Sequence, residues 1–200
     1  MKLSKKTKIC NYIYIIGIIL IGLGRYFAEY FDSTYLSFLI FVFMDALWVS
    51  QVRRRIEHPK ERKYLCWAGL LCALFFFLKT SKYTFIESNT ALSRFFWYMY
   101  YVPQTFTILM IYMASLYVGK PVSYKPKKRY RILFVIASIT CILILTNDYH
   151  ELAFDFVGDW NDEYNYGIVY YLSVLWVIVM MAMTFLTILK RSITSDNIQK

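Results

Sequence analysis

No C-x-x-C pair occurs in this sequence. Its four cysteines, Cys10, Cys66, Cys72 and Cys141, all lie within or at the edges of long apolar runs. That leaves structural disulfides and zinc sites without support. Also absent are G-x-x-x-x-G-K-[ST], G-x-S-x-G and H-E-x-x-H, together with any glutamate-pair membrane-protease motif. Phosphate-loop chemistry, serine hydrolysis by a nucleophile elbow and zinc proteolysis therefore lose their usual carriers. No internal repeat is found, which argues against an inverted-repeat transporter. No stretch is long and polar enough for a soluble domain.

What the chain does have is apolar mass. It is 58% hydrophobic and 20% aromatic over 200 residues, against about 45–50% apolar in soluble domains. The apolar residues come in blocks rather than amphipathic stripes, and blocks of about 17–25 residues match a bilayer core of roughly 30 Å. Helices are required, because backbone groups in hydrocarbon must pair within their own segment and no period-two barrel pattern is present. The fold class expected is all-α: a polytopic bundle of six transmembrane helices in one membrane-embedded domain over residues 1–200. The spans fall at about 9–30, 34–52, 64–80, 95–118, 130–147 and 167–189. The third and fifth reach full length only if Lys79, Arg129 and Arg131 snorkel to the interfaces. The first is too long for a signal-peptide core and lacks a small-residue cleavage site, so it is expected to stay as an anchor.

Basic residues set the orientation. Lys2, Lys5, Lys6 and Lys8 precede the first span. Six more occupy 53–63, six occupy 120–131, and Lys190, Arg191 and Lys200 follow the last span. Only Arg25, Lys79, Lys82 and Arg94 fall on the opposite side, so 19 of 23 basic residues share one side. Both termini are expected in the cytoplasm. The net charge of +10 is thus a topology signal, split over four short segments. It fits contact with anionic lipid and not nucleic-acid binding. Asp148, Glu151, Asp155, Asp159, Asp162 and Glu163 then lie outside.

Three polar features stand out. Asp45 is the one carboxylate deep in a span. Ionised, it would cost about 2.5–3.5 kcal/mol on insertion scales, so it should face the bundle interior. Tyr14, Tyr112, Ser138 and Thr184 lie at similar depth, with Ser138 and Tyr112 the first choices as partners. A hydroxyl-satisfied bond between helices is the plainer reading and a switch the sharper one. The fourth span carries Pro103, which removes the bond to the Met99 carbonyl and predicts a kink. Around it stand Trp97, Tyr98, Tyr100, Tyr101, Gln104, Thr105 and Thr107. These make either an aromatic belt with helix packing or a ligand pocket open to the outside. The third feature is TNDYHELAF, 146–154, where polar groups follow an apolar run. Adjacent residues cannot converge on a metal, so none is expected at His150. Leu152, Phe154, Phe156, Val157 and Trp160 give the loop an apolar face that should fold back over the helix ends. Speculative ligand contacts are Trp97, Tyr98, Tyr101, Gln104, Asn147 and His150.

Taken in order, GLGRYFAEY, RFFWYMYYVPQTF, LYVGKP, ILTNDYHELAF and YNYGIVYYLSVLW resemble the N-terminal seven-transmembrane region of bacterial sensor histidine kinases. The resemblance covers nearly the whole chain. It rests most on T-N-x-x-H after a span and on a Tyr- and Trp-rich span carrying a proline. It singles out Arg94, Trp97, Tyr98, Pro103, Thr146, Asn147, His150, Tyr166 and Gly167. It implies a sensory input module without catalysis of its own, since no phosphoacceptor-His helix or ATP-binding region follows. The chain would be either a stand-alone input module or a truncated kinase. No cofactor is expected. The partners expected are the lipid bilayer, an unidentified extracellular or membrane-soluble ligand, a separate kinase or other signalling protein, and a second copy in a homodimer. Richness in Ile, Lys, Tyr, Phe and Asn points to an AT-rich bacterial genome and hence to a bacterial cytoplasmic membrane. A small transporter or channel subunit is the first rival. It would need a continuous polar path, and between Asp45 and the outer rim there are mainly Gln104, Thr105 and Thr107. A membrane-embedded enzyme is the second rival, and it lacks a nucleophile, base and orienter set.

The charge count predicts that a cysteine at position 125 stays unlabelled by an impermeant maleimide in intact cells, while one at position 162 is labelled. Labelling of position 125 would overturn the orientation.

Overall fold

The computed structural model describes residues 33–84, 90–157 and 163–196. The expected first span at 9–30, with Tyr14 and Cys10, lies outside the described residues. Among those described, six α-helices follow in order: α1 Ser33–Arg55, α2 Pro59–Thr84, α3 Thr90–Met99, α4 Tyr101–Ser115, α5 Arg131–Leu145 and α6 Ile168–Asp196. Two short strands, β1 Phe154–Val157 and β2 Glu163–Tyr166, form an antiparallel hairpin between α5 and α6. The expectation of an all-helical chain therefore needs a correction at this loop.

The boundaries follow local chemistry. α1 ends on Arg53, Arg54 and Arg55, cations that suit the negative end of a helix dipole. Pro59 opens α2, where its missing N–H costs nothing. His58 accepts the Glu61 N–H on Nδ1 at 3.4 Å. With that nitrogen accepting, the proton sits on Nε2, which faces the Pro121 carbonyl at 3.3 Å. The imidazole thus caps α2 and ties it to the segment after α4.

The expected fourth span is one path in two pieces, broken at Tyr100. The break lies three residues before Pro103 and directly after Met99, whose usual N–H partner four residues on the proline removes. This is where the kink was expected. α4 is the central helix and packs against α2, α5 and α6. Tyr101, Pro103, Thr105, Leu109, Tyr112 and Met113 are buried along it. Trp176 of α6 donates its indole N–H to the Thr105 carbonyl at 3.3 Å. The two core clusters sit at opposite ends of this helix. One gathers Leu109, Tyr112, Met113, Trp176 and Met180, the other Trp97, Tyr98, Tyr101, Ile144 and Phe154.

Among the described residues, two helices, Pro59–Lys82 and Ile168–Ile193, are long and apolar enough to cross a bilayer. Most of their residues are not buried within the chain, and Ile178, Phe185 and Leu186 are more than half exposed. Water would penalise such a surface, whereas hydrocarbon would not. α5 is shorter, at about 22 Å for 15 residues. The 3-10 turns Lys128–Tyr130 and Asn147–Tyr149 extend it at both ends.

Asp45 lies against α2. A Cβ built on Gly69 would stand 3.5 Å from its Oδ1 and 2.2 Å from Val49, so only glycine lets α1 and α2 approach this closely. Of the hydroxyls expected at its depth, two have other neighbours. Thr184 donates to the Met180 carbonyl, and the Tyr112 ring lies edge-on to Tyr130. Asp45 instead lines a groove of about 660 Å³ between α1 and α2.

The C-terminal carbonyls of α4 have an unexpected partner. Arg191 of α6 donates to the Ser115 carbonyl at 2.6 Å and also to those of Leu116 and Val118. One planar fork closes the end of the central helix. Arg191→Met should lower stability by about 1.5–3 kcal/mol, the range for hydrogen bonds to a charged group. Arg191→Lys should recover only part, because a single ammonium cannot match the fork. Thermal unfolding of the detergent-solubilised protein measures both, and an unchanged midpoint for Arg191→Met would remove the clamp from the account.

Candidate functional site

The hairpin end of the bundle is built on one side chain. Asn147 follows α5 and is fully buried. Its Oδ1 accepts the Ala153 N–H at 2.7 Å and the Phe154 N–H at 3.0 Å. Its Nδ2 donates to the Phe154 carbonyl at 2.8 Å and to the Tyr98 hydroxyl at 3.2 Å. An amide offers two donors and two accepting lone pairs, and all four are used inside the chain. The Asn147 backbone carbonyl accepts from His150 and Glu151. This draws Glu151 into the left-handed region, φ 55°, a conformation that costs a side-chain-bearing residue roughly 1–2 kcal/mol.

The Asn147 bonds fix where the hairpin starts. Phe154 pairs with Tyr166 and Phe156 with Tyr164, and successive strand residues alternate faces. One face is therefore aromatic throughout. Phe154 is fully buried at its centre. Its ring lies 5.0 Å from Trp97, 5.6 Å from Tyr101 and 5.7 Å from Tyr170. Trp97 also meets Phe156 at 5.5 Å and Tyr164 at 4.8 Å. The other face carries Asp155 and Asn165. The hairpin thus docks as a plug, with Phe154 in the aromatic ring of α3, α4 and α6.

Charges fasten the rim. The Tyr98 hydroxyl donates to Asp148 at 2.8 Å, and Asp148 meets Arg94 at 3.5 Å. The Arg94 guanidinium lies 4.5 Å from the centre of the Phe156 ring, and the Lys82 ammonium 4.4 Å from that of Trp97. Both are cation–π contacts. His150 accepts the Leu152 N–H on Nδ1 at 3.0 Å and faces the Thr146 hydroxyl with Nε2 at 3.3 Å. Thr146 donates to the Ile142 carbonyl, so Nε2 carries the proton and donates to Thr146. His150 serves as a bracket for the turn. Among the described residues no group of His, Cys, Asp and Glu is placed to hold a metal ion.

Most of the residues that the sequence singles out do converge. Arg94, Trp97, Tyr98, Tyr101, Asn147, His150 and Tyr166 stand at this hairpin end. Gln104 is not among them and is exposed on α4. Gly167 has a precise reason: a Cβ there would lie 2.1 Å from the Leu152 carbonyl oxygen. The Gly167 and Val169 N–H groups donate to Ala153 and Leu152, which brings the start of α6 onto the same turn. Sequence reasoning missed the hairpin. Its signal is the alternation F-D-F-V and E-Y-N-Y, a period-two pattern spread over only four residues per strand.

Residues 33–200 match the family model described as the N-terminal 7TM region of histidine kinase. No curated protein and no solved structure matches the chain.

Asn147→Leu would strand two buried N–H donors, each at about 1–3 kcal/mol. The hairpin should open at least tenfold more often, since about 1.4 kcal/mol is a factor of ten. Chymotrypsin cleavage after Phe154, which follows the open population, reports it. Asn147→Asp should fall between, because it keeps the acceptors and loses the donors. Unchanged cleavage in Asn147→Leu would contradict the clamp.

Proposed function

Because the chain belongs to the family of histidine-kinase N-terminal 7TM regions, we propose that it is a membrane-embedded sensory input module whose outer hairpin is the part that responds. In this reading six spans cross a bacterial cytoplasmic membrane with both termini inside. The module carries no catalytic step and hands its state to a kinase or another signalling protein.

The observation that carries the proposal is the path from hairpin to far end. β2 passes through Gly167 directly into α6, 29 residues long, or about 44 Å. Near the other end of α6, Arg191 holds the C-terminal carbonyls of α4. A shift of the hairpin therefore bears on a continuous rod that spans the bilayer. α4 in turn carries the Pro103 break beside the aromatic cluster. A ligand acts on such a module only if it binds two arrangements with different affinity. The aromatic ring that holds Phe154 supplies one such difference. An aromatic or apolar ligand presented from outside competes with Phe154 for Trp97, Tyr98 and Tyr101. Asn147 and His150 act on this site by holding the hairpin, since their ring and amide groups are engaged within the chain.

The test is genetic. Phe154→Ala empties the ring and should shift the output of one two-component regulon at unchanged protein level, mimicking or blocking the signal. Deletion of the gene should move the same transcripts. Transcript profiles unchanged by both alleles, with a solute uptake defect in the deletion, would reject the sensor in favour of a transporter.

A further inference from the structure

The end of the bundle opposite the hairpin carries a second kind of site. A groove of about 370 Å³ runs between α2, α4 and α5. Its floor and walls are Trp67 and Leu71 of α2, Phe106 and Met110 of α4, and Phe134 of α5. Its mouth holds Lys60 and Lys63, which are exposed and spaced i, i+3 on one helix face. Tyr64, Trp67 and Leu71 continue that face toward the bilayer centre. The groove is thus graded, cationic at one end and apolar along the rest.

We propose that this groove binds one anionic phospholipid, with the phosphate between Lys60 and Lys63 and an acyl chain along Trp67 and Phe134. Charge complementarity selects this occupant. The described lining contains two ammonium groups and no carboxylate. The adjacent acid, Glu61, is not part of that lining. A zwitterionic headgroup would bring its own cation against the two lysines. A free phosphate would leave the apolar floor uncovered. Trp67 stands about half exposed, so a seated acyl chain covers surface that the protein leaves open.

The same tryptophan and Lys63 also line the groove between α1 and α2, where Arg53 and Arg54 join them at the mouth. Lys63 therefore sits on a ridge between two grooves, both lined by cations, of which the one between α1 and α2 also holds Asp45. Juxtamembrane basic residues each attract anionic lipid by about 1 kcal/mol wherever they lie. A built site differs in depending on which lysines are present and on the apolar trough. The proposal does not depend on what the hairpin senses, and it holds for either orientation of the bundle.

The full-length protein in detergent is incubated with dioleoyl phosphatidylglycerol or dioleoyl phosphatidylcholine, and retained lipid is counted by native mass spectrometry. Phosphatidylglycerol should be retained at least fivefold over phosphatidylcholine. The pair Lys60→Gln and Lys63→Gln should abolish that preference. The pair Lys125→Gln and Lys127→Gln, which removes equal charge elsewhere, should preserve it. Leu71→Trp, which fills the trough and keeps both lysines, should also lower retention at least fivefold. Millimolar glycerol phosphate should not displace the lipid. Equal retention of the two lipids, or retention unaffected by the Lys60 and Lys63 pair, would overturn the proposal. So would equal loss in both charge variants, full retention in Leu71→Trp, or displacement by glycerol phosphate.

Discussion

The hairpin end of this protein depends on the side-chain amide of Asn147. Four hydrogen bonds leave one buried group and reach three places: the backbone at 153–154, the Tyr98 hydroxyl and, through Tyr98, the Asp148–Arg94 pair. No other residue type supplies two donors and two acceptors in one plane at that length except glutamine, which is one methylene too long for a site already filled. Removing a single partner in such a network strands the rest, since a buried polar group without its bond costs more than the bond contributes when formed.

The clamp explains why an aromatic loop is seated rather than spread in the interfacial layer. Phe154 alone would gain as much from lipid as from protein, because there is no hydrophobic drive between apolar surfaces inside a membrane. What holds it is the pinning of its own N–H and C=O. Ring contacts with Trp97, Tyr101 and Tyr170 then add the directed part of the energy. The glycine at 167 allows the α6 backbone to meet the same turn. Loop, α3 and the final helix are therefore fastened at one point, while Arg191 fastens α4 and α6 at the other end. The bundle is thus joined at both ends of α6.

Much of this was legible in the residues. The apolar blocks gave helices at 33–55, 59–84, 131–145 and 168–196 close to their expected places, and Pro103 marked the break in the fourth. The order T-N-x-x-H and the Tyr- and Trp-rich segment brought the right residues to one end. Their roles were less legible. Asn147 and His150 read as groups free to meet a ligand, because a sequence does not show that Ala153 and Leu152 turn back within bonding distance. The hairpin stayed hidden because four-residue strands give too few periods to stand out. Asp45 was assigned hydroxyl partners by depth alone, and depth does not tell which helices are neighbours. Arg191 counted only as a topology charge, since nothing local shows that its fork reaches α4.

The most direct measurement is residue-resolved amide hydrogen exchange on the unaltered protein in lipid nanodiscs. The clamp predicts that the Ala153 and Phe154 amides, though in a loop, exchange as slowly as core amides of α4 such as Leu109, while the Phe156 amide, which alternation along the ladder turns away from β2, exchanges far faster. Exchange of Ala153 and Phe154 at the rate of an open turn would contradict the account, because the hairpin would then not be held by Asn147.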